Sequence, residues 1–118
     1  MNEIFETSTH YYMIIDLIEG KDLFDYLAER GYQLPEDRVR LIIFQLTCAL
    51  SYLKAFGVVH RDLKLENIMM TDNTDNAKPK IIDFGLARIL VPGETTTEPY
   101  GTLGYVGPEI LRKDPYSF

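Results

Sequence analysis

Hydrophobic positions fall into short runs at the start of the chain, a helical stripe in its middle, and isolated pairs and triplets beyond that. Residues 3–7 and 11–18 are apolar-rich and separated by the polar turn Ser8-Thr9-His10, which predicts two short strands with His10 solvated in the turn. Residues 22–30 predict a short helix, with Asp22 as its N-cap and Gly31 just past its end. The clearest helix is predicted over 35–56. Pro35 suits the first helical position, and Glu36 and Asp37 complement the positive end of the helix dipole. Val39, Ile43, Leu46, Leu50 and Leu53 recur at steps of 4 and 3, a stripe expected to face the core. Cys48, on the same helix, is expected to be a small core residue rather than a nucleophile. Gly57 is placed to end the helix.

After Gly57 the pattern shortens. Val58-Val59, Ile68-Met69-Met70 and Ile81-Ile82 have strand-like length, and residues 71–80 between the last two are polar and read as a loop. Asp72, Asn73, Asp75 and Asn76 in that loop lack the glycine and closing glutamate of a calcium-binding EF-hand, so a solvated turn is expected. Residues 91–107 are rich in Pro, Gly, Thr and Tyr and show no period, the texture of a functional or mobile segment. The expected fold class is α+β, with no boundary splitting the chain in two.

Composition narrows the partners. The 118 residues are 46% hydrophobic and 25% charged, ordinary for a globular protein. The net charge of −6 is spread over both halves, with no basic arm, so nucleic-acid binding is not expected. The longest apolar runs, 11–15 and 41–44, are far short of a membrane span, and no membrane association is expected. Cys48 is the only cysteine, which fits a reducing compartment; a cytoplasmic or nuclear location is the expectation.

Three polar groups carry the chemistry. They are His60-Arg61-Asp62 with Lys64, Glu66 and Asn67 close behind, then Asp83-Phe84-Gly85, then Gly107-Pro108-Glu109. Each triplet alone is a weak signal. Their order and spacing together are specific: Asn67 lies five residues after Asp62, Asp83 sixteen beyond Asn67, and Glu109 twenty-six beyond Asp83.

In these residues the chain resembles the eukaryotic protein kinases. The stretch His60-Arg61-Asp62-Leu63-Lys64-Leu65-Glu66-Asn67 is similar to their catalytic loop, Asp83-Phe84-Gly85 to their metal-binding turn, and Gly107-Pro108-Glu109 to their Ala-Pro-Glu element with Gly for Ala. The resemblance covers essentially the whole chain and looks most like the calcium/calmodulin-dependent kinase group. It implies the end of a small-lobe sheet, a hinge, and the helical first half of a large lobe through the activation segment. It implies ATP and Mg²⁺ as cofactors and Ser/Thr hydroxyls of proteins as acceptors. Asp62 would accept the proton of the attacking hydroxyl, Lys64 would face the transferred phosphoryl group, and Thr102 would bond near both. Asn67 and Asp83 would hold the metal through hard oxygen ligands. Ile15 would back the adenine pocket, Asp16, Leu17 and Ile18 would form the hinge, Met69 would floor the adenine site, and Asp22 would lie near the ribose. Asp22 and Glu66 would also receive arginine from the substrate, giving basic-site preference. His60 would brace the loop, and Tyr100 and Tyr105 would pack within the peptide-binding segment.

Arg61 would pair with a phosphorylated residue of the activation segment. The position four before Thr102 is Glu98, so two alternatives stand: a carboxylate that imitates the phosphate, or phosphorylation of Thr95, Thr96 or Thr97. The chain contains no Gly-x-Gly-x-x-Gly loop, and Lys21 beside the hinge is misplaced to anchor phosphate. The chain is therefore expected to be one partial kinase domain, residues 1–18 being the last small-lobe strands and hinge and 19–118 the large-lobe portion. These residues alone are expected to transfer no appreciable phosphate. The alternative is an inactive kinase-like module that binds other proteins. Regulation by calmodulin or calcium would act outside the chain.

Overall fold

The computed structural model describes residues 3–118. Its first elements form a hairpin, β1 (Glu3–Glu6) antiparallel to β2 (Tyr11–Ile14), with Glu6 opposite Tyr11 and Glu3 opposite Ile14. Thr7 to His10 close it, the Thr7 N–H donating to the His10 carbonyl at 2.8 Å. The second strand is shorter than its apolar run predicts. Residues 15–18 run on in irregular, mostly exposed form. Hydrophobicity extends to Ile18, but among the described residues strand pairing reaches only Ile14.

The chain then passes close to a later strand. A Cβ on Gly20 would lie 2.0 Å from the Met70 carbonyl oxygen, so only glycine permits this approach. Just beyond, the Met70 N–H donates to the Lys21 carbonyl at 2.8 Å and Asp22 bridges to Met69. Helix α1 (Leu23–Ala28) starts as the sequence predicts. The Asp22 carboxylate accepts the Asp25 N–H at 2.9 Å and satisfies one of the helix's orphan donors. The helix ends two residues earlier than predicted, and residues 29–32 form turns in which Gly31 and Tyr32 take positive φ.

Helix α2 (Glu36–Ala55) has Pro35 as its N-cap rather than its first helical residue. Gly57 follows Phe56 with φ +71, a conformation that costs other residues about 1–2 kcal/mol. The buried face of α2 shares only Leu46 and Leu53 with the predicted stripe. Ile42 is buried, with Arg38, Leu46, Ala49 and Leu53 partly covered, whereas Val39, Ile43, Leu50 and Cys48 are exposed. The helix is apolar on more than one side, so periodicity cannot choose between its stripes. The partners present choose: Ile42 joins Leu23, Tyr26, Ile68, Met70 and Ala77 in the core.

Two small antiparallel pairs complete the frame. β3 (Val58–Val59) pairs with β6 (Arg88–Ile89), and β4 (Ile68–Met70) pairs with β5 (Pro79–Ile81), with Ile68 opposite Ile81. A single 3₁₀ turn, Leu65–Asn67, leads into β4. The 71–78 loop is pinned from α1 by the Tyr26 hydroxyl on the Thr74 carbonyl at 2.9 Å and Arg30 on the Asn73 carbonyl at 2.8 Å. Within it Asp72 accepts from the Thr74 N–H at 2.8 Å, so its carboxylate serves a turn. Helix α3 (Pro108–Arg112) had no periodic signature, though Gly107 before Pro108 and Glu109 is a recognisable helix start. Among the described residues no helix is long and apolar enough to cross a membrane.

Candidate active site

The site is built on the link between β3 and β4 and on the turn after β5. His60 is buried and ties the two together. Its Nδ1 accepts the Asp62 N–H at 3.2 Å, which leaves the ring proton on Nε2 to be donated to the Ile82 carbonyl at 2.9 Å. The ring also meets Phe84 edge-on, centroids 4.9 Å apart. His60 thus braces the loop. From the other side, the Ile82 N–H donates to the Asn67 carbonyl at 2.9 Å, which sets Asp83 one residue beyond the contact.

Around Asp62 the side chains close into a ring. The Thr102 hydroxyl donates to Asp62 Oδ1 at 2.6 Å and accepts from Lys64 Nζ at 3.0 Å. Lys64 Nζ lies 3.3 Å from Asp62 Oδ2, to which Asn67 Nδ2 also donates at 3.0 Å. Asn67 Nδ2 holds the Asp62 carbonyl as well, at 2.8 Å, so the amide spans the loop it closes. Three residues, two of them close by in sequence and Thr102 forty positions on, therefore fix one carboxylate. Their hydrogen bonds, that from Thr102 foremost, hold the Asp62 carboxyl below its ordinary range against the opposing effect of burial. Since the folded value is depressed, ionised Asp62 contributes stability above the unfolded value near 3.8 and loses it as pH falls through the folded value.

Thr102→Val keeps the shape and removes the largest lowering contact. The Asp62 carboxyl then titrates at higher pH, as followed by its carbon-13 shift; an unchanged titration would show that the ring does not tune Asp62.

Two positions flanking the chemistry have left-handed backbone, Arg61 at φ +69 and Asp83 at φ +59. For Arg61 the conformation costs about 1–2 kcal/mol, held by contacts on both sides of its side chain. Asp83 is exposed, and its Oδ1 accepts the Gly85 N–H at 3.1 Å. Among the described residues no group of three or more His, Cys, Asp and Glu is placed to hold a metal unaided. The donor set still fits Mg²⁺. The Asn67 amide nitrogen is spent on Asp62, which leaves its oxygen as acceptor, and Asp83 adds a carboxylate. Such an ion takes one or two protein oxygens together with phosphate and water.

The residues expected near the nucleotide divide. Asp22 and Met69 are brought together by their bridge, although the Asp22 carboxylate also caps α1. Ile15, Asp16 and Leu17 are exposed and Ile18 is partly covered, on the irregular stretch between β2 and Gly20. Glu66 is exposed, with the Tyr105 hydroxyl 3.5 Å from its carboxylate. Tyr100 and Tyr105 are both substantially exposed, and Tyr100 stacks its ring under Arg61 at 4.6 Å.

The activation-segment residues do not stand alike. Glu98 Oε2 accepts from Arg61 at 2.5 Å and from Arg88 at 2.9 Å, and both guanidinium groups hold its carboxyl below the ordinary range. Thr96 is buried and paired through its backbone with Tyr116, whereas Thr95 and Thr97 are exposed. Burial argues against Thr96 as an accessible phosphate acceptor. Arg88 and Tyr116 escaped the sequence reading, since a lone arginine or tyrosine in an aperiodic stretch carries no local signal.

An ionised carboxylate held by lysine, threonine and asparagine, with a second carboxylate on a left-handed turn, has the chemistry a phosphoryl-transfer site needs. The comparisons agree. The protein kinase domain family model matches residues 1–118, and the chain belongs to that family. It is 38% identical over 116 residues to calcium/calmodulin-dependent protein kinase type 1B of Rattus norvegicus, and equally to those of Homo sapiens and Mus musculus. The match takes in 98% of this chain and 33% of each relative, so the chain spans about one third of their length. The small sheets and helices are accordingly part of a kinase-like α+β fold.

Proposed function

We propose that these residues are the catalytic portion of a protein kinase that transfers the γ-phosphate of ATP to Ser or Thr hydroxyls of proteins. The observation that carries this reading is the ring around Asp62, in which Thr102 and Lys64 converge on the same carboxylate from opposite ends of the segment. Asp62 accepts a hydrogen bond from the acceptor hydroxyl and takes its proton as the oxygen attacks phosphorus. The bond from phosphorus to the ADP oxygen breaks in the same step, and the ammonium of Lys64 stands against the charge that moves across. Asn67 and Asp83 would hold Mg²⁺, which would supply charge to offset the phosphate. Ile15 to Ile18 and Met69 receive the adenine, and Asp22 the ribose. The small-lobe share is residues 1–18, and the large-lobe share is 19–118.

Glu66 and Asp22 give the site a preference for basic peptides. A pair of serine peptides differing by one arginine tests this. The arginine peptide is expected to have the lower KM, and Glu66→Gln to raise that KM while leaving the neutral peptide unchanged; equal KM values would remove the preference. Similarity to kinases named as calcium/calmodulin-dependent supports regulation by calmodulin or calcium through residues other than these.

A second reading, an inactive module that binds proteins, is favoured by one observation. α2 leaves Leu50 and its neighbours open to a cleft of about 450 Å³ shared with Tyr100, Val106, Ile110 and Phe118. Phosphate transfer by the full protein separates the two readings.

A further inference from the structure

We propose that Glu98 is a built-in latch that fastens segment 93–102 to the catalytic loop, so that the site assembles without phosphate on Thr95, Thr96 or Thr97. The consequence for transfer rests on the kinase reading; the latch itself does not.

The latch is one carboxylate oxygen shared by two cations. Arg61 has a side chain only 8% exposed, and it donates through Nε to the Leu86 carbonyl at 2.5 Å and through a terminal nitrogen to Glu98 at 2.5 Å. Arg88 donates to the same Glu98 oxygen at 2.9 Å and to the Thr96 hydroxyl at 3.1 Å, and its other terminal nitrogen reaches Glu94 at 3.1 Å. Glu94 in turn accepts the Val91 N–H at 3.0 Å. The end of the chain closes over this cluster. The Tyr116 hydroxyl donates to the Glu98 carbonyl at 2.7 Å, and Tyr116 and Thr96 exchange both backbone hydrogen bonds at 2.9 Å. A guanidinium as enclosed as that of Arg61 is costly without a counter-charge, and Glu98 is the one carboxylate paired with it among the described residues.

The geometry couples this cluster to catalysis at two points. Arg61 is the residue before Asp62, and Thr102, four residues after Glu98, is the group bonded to Asp62 Oδ1. Fixing Glu98 therefore fixes the approach of Thr102. The same arrangement explains why phosphate is unneeded at Thr96. Its hydroxyl already lies between Arg88 and Glu98, and a dianion there would stand against the Glu98 carboxylate for the sake of one arginine. Glu98 acts as a positioning residue, since it touches Asp62 only through others.

The test uses Glu98→Gln in the full protein, which keeps the shape and removes the charge. Amide exchange at Thr96 and Tyr116 is expected to speed up at least about tenfold while the amides of Met70 and Ile82 are unchanged, which excludes global unfolding. Arg88→Gln, which leaves Arg61 paired, is expected to give a smaller acceleration. In transfer assays Glu98→Gln is expected to lower kcat with little change in KM for ATP, and Glu98→Asp to recover part of the loss. Phosphatase treatment is expected to leave the wild type's rate unchanged. Unaltered exchange in Glu98→Gln, or loss of the wild type's rate on phosphatase treatment, would overturn the proposal. A wild type that transfers nothing, with faster exchange in Glu98→Gln, upholds the latch and overturns the kinase reading.

Discussion

Asp62→Asn is expected to lower kcat by about 10²- to 10⁴-fold, the range that a positioned proton acceptor supplies. The size follows from what the carboxylate does in the folded chain. Its two oxygens receive the Thr102 hydroxyl, the Asn67 amide and the Lys64 ammonium, so every neighbour is a donor. An asparagine offers one acceptor oxygen and puts an NH₂ group against a donor on the other side. The substitution removes the proton acceptor and also leaves one donor unpaired, at about 1–3 kcal/mol of stability. Steady-state kinetics and urea unfolding separate the two effects. A loss in kcat far beyond what the unfolded fraction explains is the expected pattern. The carboxyl is held below its ordinary range, so it stays ionised across neutral pH. The wild type's acid limb should accordingly lie below the ordinary carboxylate range.

Asp83→Asn is expected to lower the rate by about 10³-fold or more, because a metal's stabilisation of transferring phosphate is worth several kcal/mol. The backbone separates this loss from misfolding. Asp83 has φ +59, a conformation asparagine tolerates and alanine does not. Its Oδ1 accepts the Gly85 N–H, and an amide oxygen does the same. Asp83→Asn should therefore keep its unfolding midpoint while the Mg²⁺ concentration for half-maximal rate rises. Asp83→Ala should lose stability as well as rate. An unchanged rate together with an unchanged Mg²⁺ requirement in Asp83→Asn would remove Asp83 from the metal site.

The site was more legible in the sequence than the packing around it. His60 to Asn67 and Asp83 to Gly85 are contiguous strings, because a tight loop or turn presents its side chains from neighbouring positions. Asp22 as a cap and Gly57 as a helix end were equally readable, since each acts on its own helix. The buried face of α2 was not, because a helix apolar on several sides shows its core stripe only through its neighbours. Cys48 and Val39 are exposed for that reason. β6 was set by pairing with residues thirty positions earlier. Glu98 was found by counting from Thr102, but Arg88 and Tyr116, which complete its surroundings, carry no periodicity or motif. Their roles come from tertiary contact alone.

The role proposed for the carboxylates of Asp62 and Asp83 is phosphate transfer to a Ser or Thr hydroxyl. Its most direct measurement follows label from γ-phosphate-labelled ATP into a serine peptide with flanking arginines, using the full protein bearing this sequence. Mg²⁺-dependent appearance of phosphoserine is expected, and Asp62→Asn and Asp83→Asn each suppress it. No phosphoserine from the wild type, or equal labelling by wild type and Asp62→Asn, would contradict that role.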